Sequence, residues 1–134
     1  MSTELKALGS TTKYTYDRVA SELLERFPAP AASGAQDVYI RTSEFSSLCP
    51  KTGQPDWATI VVTYVPDRWC VESKSYKLFL GSFRMVGMFH EACVDRICKD
   101  LVALLDPIRL EVRGEFTPRG GISFWPTSRY SKKD

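Results

Sequence analysis

A cysteine and an aspartate bracket a short turn-forming run, and they are the residues best suited to chemistry in this chain. Cys49 begins the run and Asp56 ends it, with two prolines and a glycine between them. Such a turn can bring a thiol nucleophile and a proton-donating carboxyl group to one small site. Lys51 or a helix N-terminus can lower the pKa of the thiol, and burial beside Trp57 can raise that of the carboxyl group.

Both residues also have simpler interpretations. Cys49 can be a small buried apolar side chain, because free cysteines are often found in protein cores. Asp56 can accept backbone hydrogen bonds within the loop, as aspartate commonly does in turns. The position of Cys49 in a loop, with Asp56 close behind it, favours a nucleophile and a proton donor over these alternatives.

The segment from Glu72 to Lys77 carries groups that bind phosphate. It opens a predicted helix, and Lys74 and Lys77 lie three residues apart, on one helical face. Free backbone N–H groups at the helix start, together with serine hydroxyls and ammonium groups, make a phosphate site. A solvated basic helix start, with Ser73 as its N-cap, fits the same spacing equally well.

A third group of candidate residues surrounds the single histidine of the chain. His90 and Glu91 begin the second predicted helix, directly after Phe89. Glu91 can complement the helix dipole, or its carboxylate can accept two N–H bonds from a purine-like edge while Phe89 stacks on the ring. Arg119 and Gly120 can form a hairpin turn, or they can bring a guanidinium group to an anion.

The composition limits the classes of function. At 134 residues, with 43% hydrophobic and 25% charged residues, the chain is typical of one modest globular domain. A net charge of +2 argues against nucleic-acid binding, and no apolar run reaches the length of a membrane span. The polar first 14 residues lack a signal-peptide core, so we expect a cytoplasmic protein with four reduced cysteines and no bound metal.

The order of predicted elements indicates an α+β fold. A short helix is followed by two strands, two helices and two strands, at residues 17–27, 38–41, 57–65, 76–83, 90–105, 108–116 and 122–125. A loop at 44–56 separates the first two strands, and Gly87 breaks the chain between the last two helices. This order predicts an antiparallel sheet with two helices on one face, whose free edges favour oligomerisation.

The same pattern divides the chain into three parts. Residues 1–35 are expected to be a leader with a short helix, and residues 36–126 to be the catalytic domain. Residues 127–134 contain a small cluster of cations, which we interpret as a flexible basic tail.

Four stretches, taken in order, resemble the QueF family, the NADPH-dependent 7-cyano-7-deazaguanine reductases of the queuosine pathway. They are residues 44–56 (EFSSLCPKTGQPD), 72–78 (ESKSYKL), 89–91 (FHE) and 116–123 (FTPRGGIS). The length of the chain is similar to the single-domain form of that family. The resemblance implies a tunnelling fold (T-fold), in which subunits join their sheets into a barrel of two facing pentamers with active sites between subunits.

The resemblance also implies a role for each candidate residue. Cys49 would add to the nitrile as a covalent thioimide, Asp56 would be the acid and base, and His90 would assist proton transfer. The residues that would bind the substrate are Glu72, Ser73, Phe89, His90 and Glu91. The residues that would bind NADPH are Ser73, Lys74, Lys77, Arg119 and Gly120. The imine-level intermediate must be kept from water, which suits a closed pocket between subunits, and the chemistry needs no metal.

One segment departs from the family pattern, and several alternatives remain. Residues 85–88 read Met-Val-Gly-Met, where the family is more polar, which affects the turn between the helices and a cofactor contact. Cys93 follows Glu91 closely, which predicts a reversible disulfide with Cys49. The alternative functions are a T-fold relative that adds ammonia to the same nitrile, a GTP cyclohydrolase-like zinc enzyme, and a purine- or pterin-binding module without catalysis.

Overall fold

The computed structural model describes residues 5–9, 11–31 and 34–132. After a 3₁₀ turn (Ser21–Leu23), the elements in chain order are β1 (Arg26–Pro28), β2 (Val38–Leu48), β3 (Pro55–Val65), β4 (Trp69–Val71), α1 (Ser73–Gly81), α2 (His90–Leu105), β5 (Arg109–Phe116) and β6 (Thr127–Ser131). None of the helices within these described ranges is long and apolar enough to cross a membrane.

Strands β2, β3, β5 and β6 form one four-stranded antiparallel sheet in that order, and β1 pairs with β4 in a separate antiparallel ribbon. The long strand β3 lies inside the sheet, as its β-branched residues predict, and β2 and β6 are the outer strands. Together with the two helices, this confirms the predicted α+β class with an antiparallel sheet.

One face of the sheet packs against both helices in a single hydrophobic core. The fully buried residues of this core include Ile60, Val62, Phe79, Phe83, Val94, Ile97, Leu101, Leu105 and Val112. A Cβ atom at Gly114 of β5 would lie 2.7 Å from Cγ2 of Val94, so only glycine lets α2 approach β5 this closely. The close contact fixes the start of α2 near the end of β5.

Both helices lie near the positions that the sequence predicts, but the N-cap of α1 is not the predicted residue. Helix α1 begins at Ser73 and α2 spans His90–Leu105, with the break at Gly87 between them, as predicted. The N-cap of α1 is Glu72 rather than Ser73, because the Glu72 carboxylate accepts hydrogen bonds from the N–H groups of Lys74 and Ser75 at 2.8 and 2.7 Å. The end of α2 is a left-handed Asp106 with φ of 45°.

The predicted helix at residues 17–27 is wrong. The structure has only the turn Ser21–Leu23 there, and Arg26–Pro28 is a strand. Its three residues pair with Val71, Cys70 and Trp69 of β4, so a pairing distant in sequence overrides a weak helical pattern.

Strand β2 is longer than predicted. It continues past residue 41 through a bulge between Thr42 and Phe45 and ends at Leu48, so the predicted loop at 44–56 shrinks to the residues between β2 and β3. Ser46 and Ser47 are buried in this extension. Two buried serines interrupt the apolar alternation by which a strand is recognised, which is why the extension was missed.

The last strand lies later in the chain than predicted. Strand β5 is confirmed, but its partner is Thr127–Ser131 and not residues 122–125. The interpretation of residues 127–134 as a flexible tail is therefore wrong for its described part. Tyr130 packs against the core, and Lys132 forms an ion pair with Asp67 at 2.9 Å. Residues 133 and 134 lie outside the described residues.

Candidate active site

The loop between β2 and β3 brings Cys49 and Asp56 to one cavity. The N–H of Cys49 donates to the carbonyl of Gln54 at 2.8 Å, and the N–H of Gly53 donates to the carbonyl of Cys49 at 2.9 Å. Gly53 has a φ of +71°, which favours glycine there. Asp56 is the second residue of β3, and its side chain and that of Cys49 line a cavity of 240 Å³.

The loop stabilises Cys49 as a thiolate. The pKa of Cys49 is lowered to about 6, first by a hydrogen bond from the Thr52 side chain, then by the backbone N–H groups of Thr52 and Lys51, and then by the Arg119 side chain. Lys51 therefore acts through its backbone, and not through the ammonium group that the sequence favoured. At pH 7, about 90% of a thiol with this pKa is ionised, so the nucleophile is available without a separate base.

Asp56 is buried, and its carboxylate contacts Arg119 and His90. The carboxylate is 5% exposed, its Oδ1 pairs with the Arg119 guanidinium, and its Oδ2 lies 3.3 Å from Nε2 of His90. Trp57, the expected source of burial, is 51% exposed, because alternate residues of a strand point to opposite faces. Asp56 instead lies on the core-facing side of β3, together with Ala58 and Ile60.

The imidazole of His90 is fixed by aromatic rings. It stacks on Phe116 at 3.9 Å between centroids with 8° between the planes, and it meets Phe124 edge-on at 6.1 Å. His90 is the first residue of α2, and the neighbouring Phe89 and Glu91 also line the cavity. The start of one helix thus supplies an imidazole, a carboxylate and an exposed aromatic ring to the cavity that contains the thiol.

Arg119 reaches the site from a tight turn. Its N–H and carbonyl exchange hydrogen bonds with Ile122 at 3.0 and 2.9 Å, and Gly120 and Gly121 have φ of +57° and +78°. Two successive positive φ values are typical of a type I′ turn. Within this chain, the turn places the guanidinium beside Cys49 and Asp56 and not beside Ser73 and Lys77. The segment forms a tight turn, and the guanidinium that it carries lies beside the Cys49 thiolate and the Asp56 carboxylate.

Ser73 and Lys77 line a second cavity of 440 Å³. Its other polar or aromatic lining residues include Tyr14, Arg41, Thr42, Glu44, Tyr76 and Arg84. It shares no lining residue with the Cys49 cavity, and Gly120 lines neither of them in the described part of the chain. Glu72 and Lys74 lie at the start of α1, where the Glu72 carboxylate serves as the helix cap. Within one chain, the predicted binding residues thus line two separate cavities. Ser73 and Lys77 line the second cavity, and the Cys49 cavity is lined by Phe89, His90, Glu91 and Arg119.

The segment that departs from the family pattern holds the nucleophile loop in place. The N–H of Leu48 donates to the carbonyl of Val86, and the N–H of Met88 donates to the carbonyl of Leu48, both at 3.0 Å. A Cβ atom at Gly87 would lie 3.3 Å from Cα of Pro50. These contacts are made by the backbone, so the Met-Val-Gly-Met sequence is compatible with the loop geometry.

Cys93 is a buried thiol behind the site. Its Sγ lies 3.6 Å from Oγ of Ser47, and burial raises its pKa to about 11. Cys93 and Cys49 are both free thiols in the structure. The disulfide between them stays a prediction, and a thiol with a raised pKa is the poorer nucleophile of the pair.

Thr52 was missed by the sequence analysis, although it lies inside the motif. Its Oγ1 accepts a hydrogen bond from the N–H of Gln54 at 3.3 Å, which leaves the hydroxyl hydrogen to be donated to Cys49. We expect Thr52→Val to raise the pKa of Cys49 by about one unit, and Thr52→Ser to keep it near the wild-type value. The pH dependence of Cys49 alkylation by iodoacetamide, followed by mass spectrometry, measures this. An unchanged midpoint in Thr52→Val contradicts the role of the hydroxyl.

The chain is similar to known proteins along most of its length. The family model described as QueF-like protein matches residues 55–134. An NADPH-dependent 7-cyano-7-deazaguanine reductase of Porphyromonas gingivalis is 54% identical over 96% of this chain and 83% of its own length. The protein of the same name from Bacillus subtilis is 51% identical over 90% of this chain and 73% of its own length.

A solved structure shows the same fold at much lower sequence identity. The archaeosine synthase QueF-Like, in its apo form, superposes with a TM-score of 0.67 at 18% identity and covers 73% of this chain and 96% of its own. At that identity the likeness concerns the fold alone. The family match and the relatives above 50% identity do not depend on it, and they show that the chain belongs to the QueF family.

Proposed function

We propose that this chain reduces the nitrile of 7-cyano-7-deazaguanine to 7-aminomethyl-7-deazaguanine with NADPH, a step in making the modified tRNA nucleoside queuosine. The observation that carries the proposal is the Cys49 thiolate, which faces Asp56 and His90 in one cavity. Relatives that are 50–54% identical over most of the chain are named for this reaction, which supports the choice of substrate.

The Cys49 cavity has the shape and chemistry to hold a flat heterocycle. Its walls are mostly apolar and include the rings of Phe89 and Phe124 and the side chain of Ile122. Glu91 supplies a carboxylate that can accept two N–H bonds from the guanine-like edge of the substrate. Anchored in this way, the ring can present its nitrile to Cys49.

In the first step, the Cys49 sulfur forms a bond to the nitrile carbon. One C≡N electron pair moves to the nitrogen, which takes a proton, and the product is a thioimide on Cys49. Asp56 relays this proton: its carboxylate takes the proton from a protonated His90, whose Nε2 lies 3.3 Å from Oδ2 of Asp56, and gives it to the nitrogen, which leaves His90 neutral. Arg119 holds the carboxylate and the thiolate side by side before the reaction.

Reduction of a nitrile to an amine takes two hydrides and two protons, and NADPH supplies the hydrides when it is bound. The residues of the second cavity fit a phosphate-bearing cofactor. Ser73, at the start of α1, and Lys77, one turn further along, line it, and Lys74 lies between them in the helix. Tyr76, whose buried hydroxyl lies near Thr42, lines the same cavity.

We propose that a complete active site forms between subunits of a homo-oligomer. In a T-fold barrel of two facing pentamers, the Ser73–Lys77 cavity of one subunit would join the Cys49 cavity of another. Three observations support this arrangement: the two cavities are separate within one chain, β2 and β6 have no outer neighbour in the described sheet, and the Cys49 cavity is rimmed by exposed apolar residues. Exposed strand edges and apolar rims are typical of surfaces that associate.

The proposed catalytic domain begins near residue 36 and extends past residue 126. Strand β6 completes the sheet that carries the site, so Thr127–Ser131 belongs to this domain. We also propose a reducing compartment, the cytoplasm, because all four cysteines are free thiols and the nucleophile must stay reduced.

The principal alternative is transfer of ammonia to the same nitrile. Its support is the structural likeness to the archaeosine synthase, which concerns the fold alone. The Ser73–Lys77 motif and the reductases at 50–54% identity favour NADPH chemistry. A GTP cyclohydrolase-like zinc enzyme is disfavoured because the chain contains one histidine.

The thioimide can be detected before any reduction occurs. When the purified protein is incubated with 7-cyano-7-deazaguanine without NADPH, we expect its mass to increase by the mass of one substrate molecule. Cys49→Ala is expected to lose the adduct, and Cys98→Ala, a core thiol distant from the cavity lining, is expected to keep it. An adduct that persists in Cys49→Ala would show that another group is the nucleophile.

A further inference from the structure

The leader segment forms one wall of the second cavity. The rings of Tyr14 and Tyr16 stack at 5.4 Å with 9° between their planes, and the Arg84 guanidinium lies 5.1 Å from the centre of the Tyr16 ring. The N–H of Met85 donates to the carbonyl of Tyr16 at 2.7 Å. A Cβ atom at Gly81 would lie 3.3 Å from the Tyr14 ring. The segment is therefore held against the end of α1, and Tyr14 lines the cavity.

This cavity has an excess of positive charge. Its lining contains the three cations Arg41, Lys77 and Arg84 and one carboxylate, Glu44, which leaves a net charge of +2. No ion pair involves these three cations within the described residues, and all three are exposed. A phosphate monoester carries about two negative charges at neutral pH, so it matches the excess charge of the cavity.

The lining residues are spread along the length of α1. Ser73 begins the helix, Lys77 lies at its middle, and Arg84 follows its end, in the same cavity lining as Tyr14. At about 1.5 Å per residue, Ser73 and Gly81 are about 12 Å apart along the helix axis. The cavity is therefore long enough to separate two anionic groups of one ligand. An arginine at the far end can bind a terminal phosphate through two parallel N–H bonds, which a lysine cannot do.

We propose that Arg84, assisted by Arg41, binds the 2′-phosphate of NADPH and makes this end of the cavity selective for NADPH over NADH. Tyr14 provides a flat surface on which the adenine ring stacks. The first half of α1, with Ser73 and Lys77, then faces the diphosphate. This inference rests on the proposed function, because it concerns the cofactor of that reaction. It assigns roles to Arg84, Arg41 and Tyr14, which lie outside the four stretches that carry the family resemblance.

Binding measured without substrate tests the assignment. In isothermal titration calorimetry on the full-length protein, wild type is expected to bind NADPH more tightly than NADH, and to bind adenosine 2′,5′-bisphosphate more tightly than AMP. Arg84→Gln is expected to weaken NADPH binding about tenfold to a hundredfold and to leave NADH binding unchanged, so that the preference disappears. Arg84→Lys is expected to keep part of it. Lys99→Gln, an exposed cation on α2 outside the cavity, is the control and is expected to change neither affinity.

Tyr14→Leu has a different expected signature. Because adenine is common to both nucleotides, loss of the ring is expected to weaken NADPH and NADH by the same factor, of about five to a hundred. An NADPH-to-NADH affinity ratio that is unchanged in Arg84→Gln overturns the assignment of the 2′-phosphate. If wild type binds NADPH and forms the Cys49 adduct while that ratio stays constant, only this inference fails. If wild type binds no NADPH at all, the inference and the proposed reductase fail together.

Discussion

Asp56→Asn is expected to lower turnover by a factor of about 100 to 10,000, because the substitution keeps the shape of the side chain and removes the carboxylate that relays the proton. Asp56 is buried in contact with Arg119 and His90, whereas Glu91, the other carboxylate that lines the cavity, is assigned to the edge of the substrate ring. The Cys49 thiolate is stabilised mainly by Thr52 and by backbone N–H groups. Alkylation of Cys49 should therefore remain rapid in the variant, while transfer of a proton to the nitrile nitrogen becomes slow.

The measurement compares turnover with the alkylation rate in the same preparation. Asp95→Asn is the matched control, because Asp95 is an exposed carboxylate on α2 that pairs with Lys99. Turnover of Asp95→Asn should equal that of wild type. If Asp56→Asn lost less than tenfold in turnover, the proton would have to come from another group, and His90 would be the first candidate.

Arg119→Gln is expected to raise the pKa of Cys49 and to lower turnover by about tenfold or more. The Arg119 side chain contributes to the lowered pKa of the thiol and also forms an ion pair with Asp56, so its loss affects the nucleophile and the acid together. With a higher pKa, less of Cys49 is thiolate at neutral pH. When alkylation of Cys49 is measured without cofactor, its midpoint is then expected at higher pH in Arg119→Gln than in wild type.

The same variant separates two roles for this arginine. If Arg119 acts on the thiolate, the alkylation midpoint moves and the affinity for NADPH changes little. If it acts on the cofactor, as the family resemblance implied, the affinity for NADPH falls and the midpoint stays. Arg113→Gln, which removes a guanidinium paired with Glu115 elsewhere on β5, controls for a general loss of positive charge.

The parts of the site that were predictable are those encoded locally. Cys49 and Asp56 flank a turn made by Gly and Pro, and turn chemistry of this kind acts over a few residues. Their presence in one cavity therefore followed from spacing. The starts of α1 and α2 were predictable for the same reason, because helical periodicity and capping residues are local as well.

The partners of these residues were not predictable, because they come from distant parts of the chain. The His90 ring stacks on Phe116, and Asp56 pairs with Arg119, contacts that exist only after β5 has joined β3. The burial of Asp56 was expected from Trp57, but the alternation of the strand turns Trp57 to the opposite face.

The ends of the chain were misread for a related reason. Residues 17–27 and 127–131 have weak local patterns, and each takes its structure from a strand that lies far away in sequence. Strand β1 depends on β4, and β6 depends on β5. The contribution of Tyr14 to the second cavity has the same origin, because nothing in the leader itself indicates that it packs against the end of α1.

The central claim is that Cys49 makes a nitrile reducible by NADPH, and the stoichiometry of the reaction tests it most directly. Purified protein is mixed with limiting 7-cyano-7-deazaguanine and excess NADPH under reducing conditions, and NADPH absorbance is followed to completion beside a Cys49→Ala control. The account predicts that two NADPH are consumed for each nitrile by wild type and none by the control. No consumption by wild type, or equal consumption by Cys49→Ala, would contradict it.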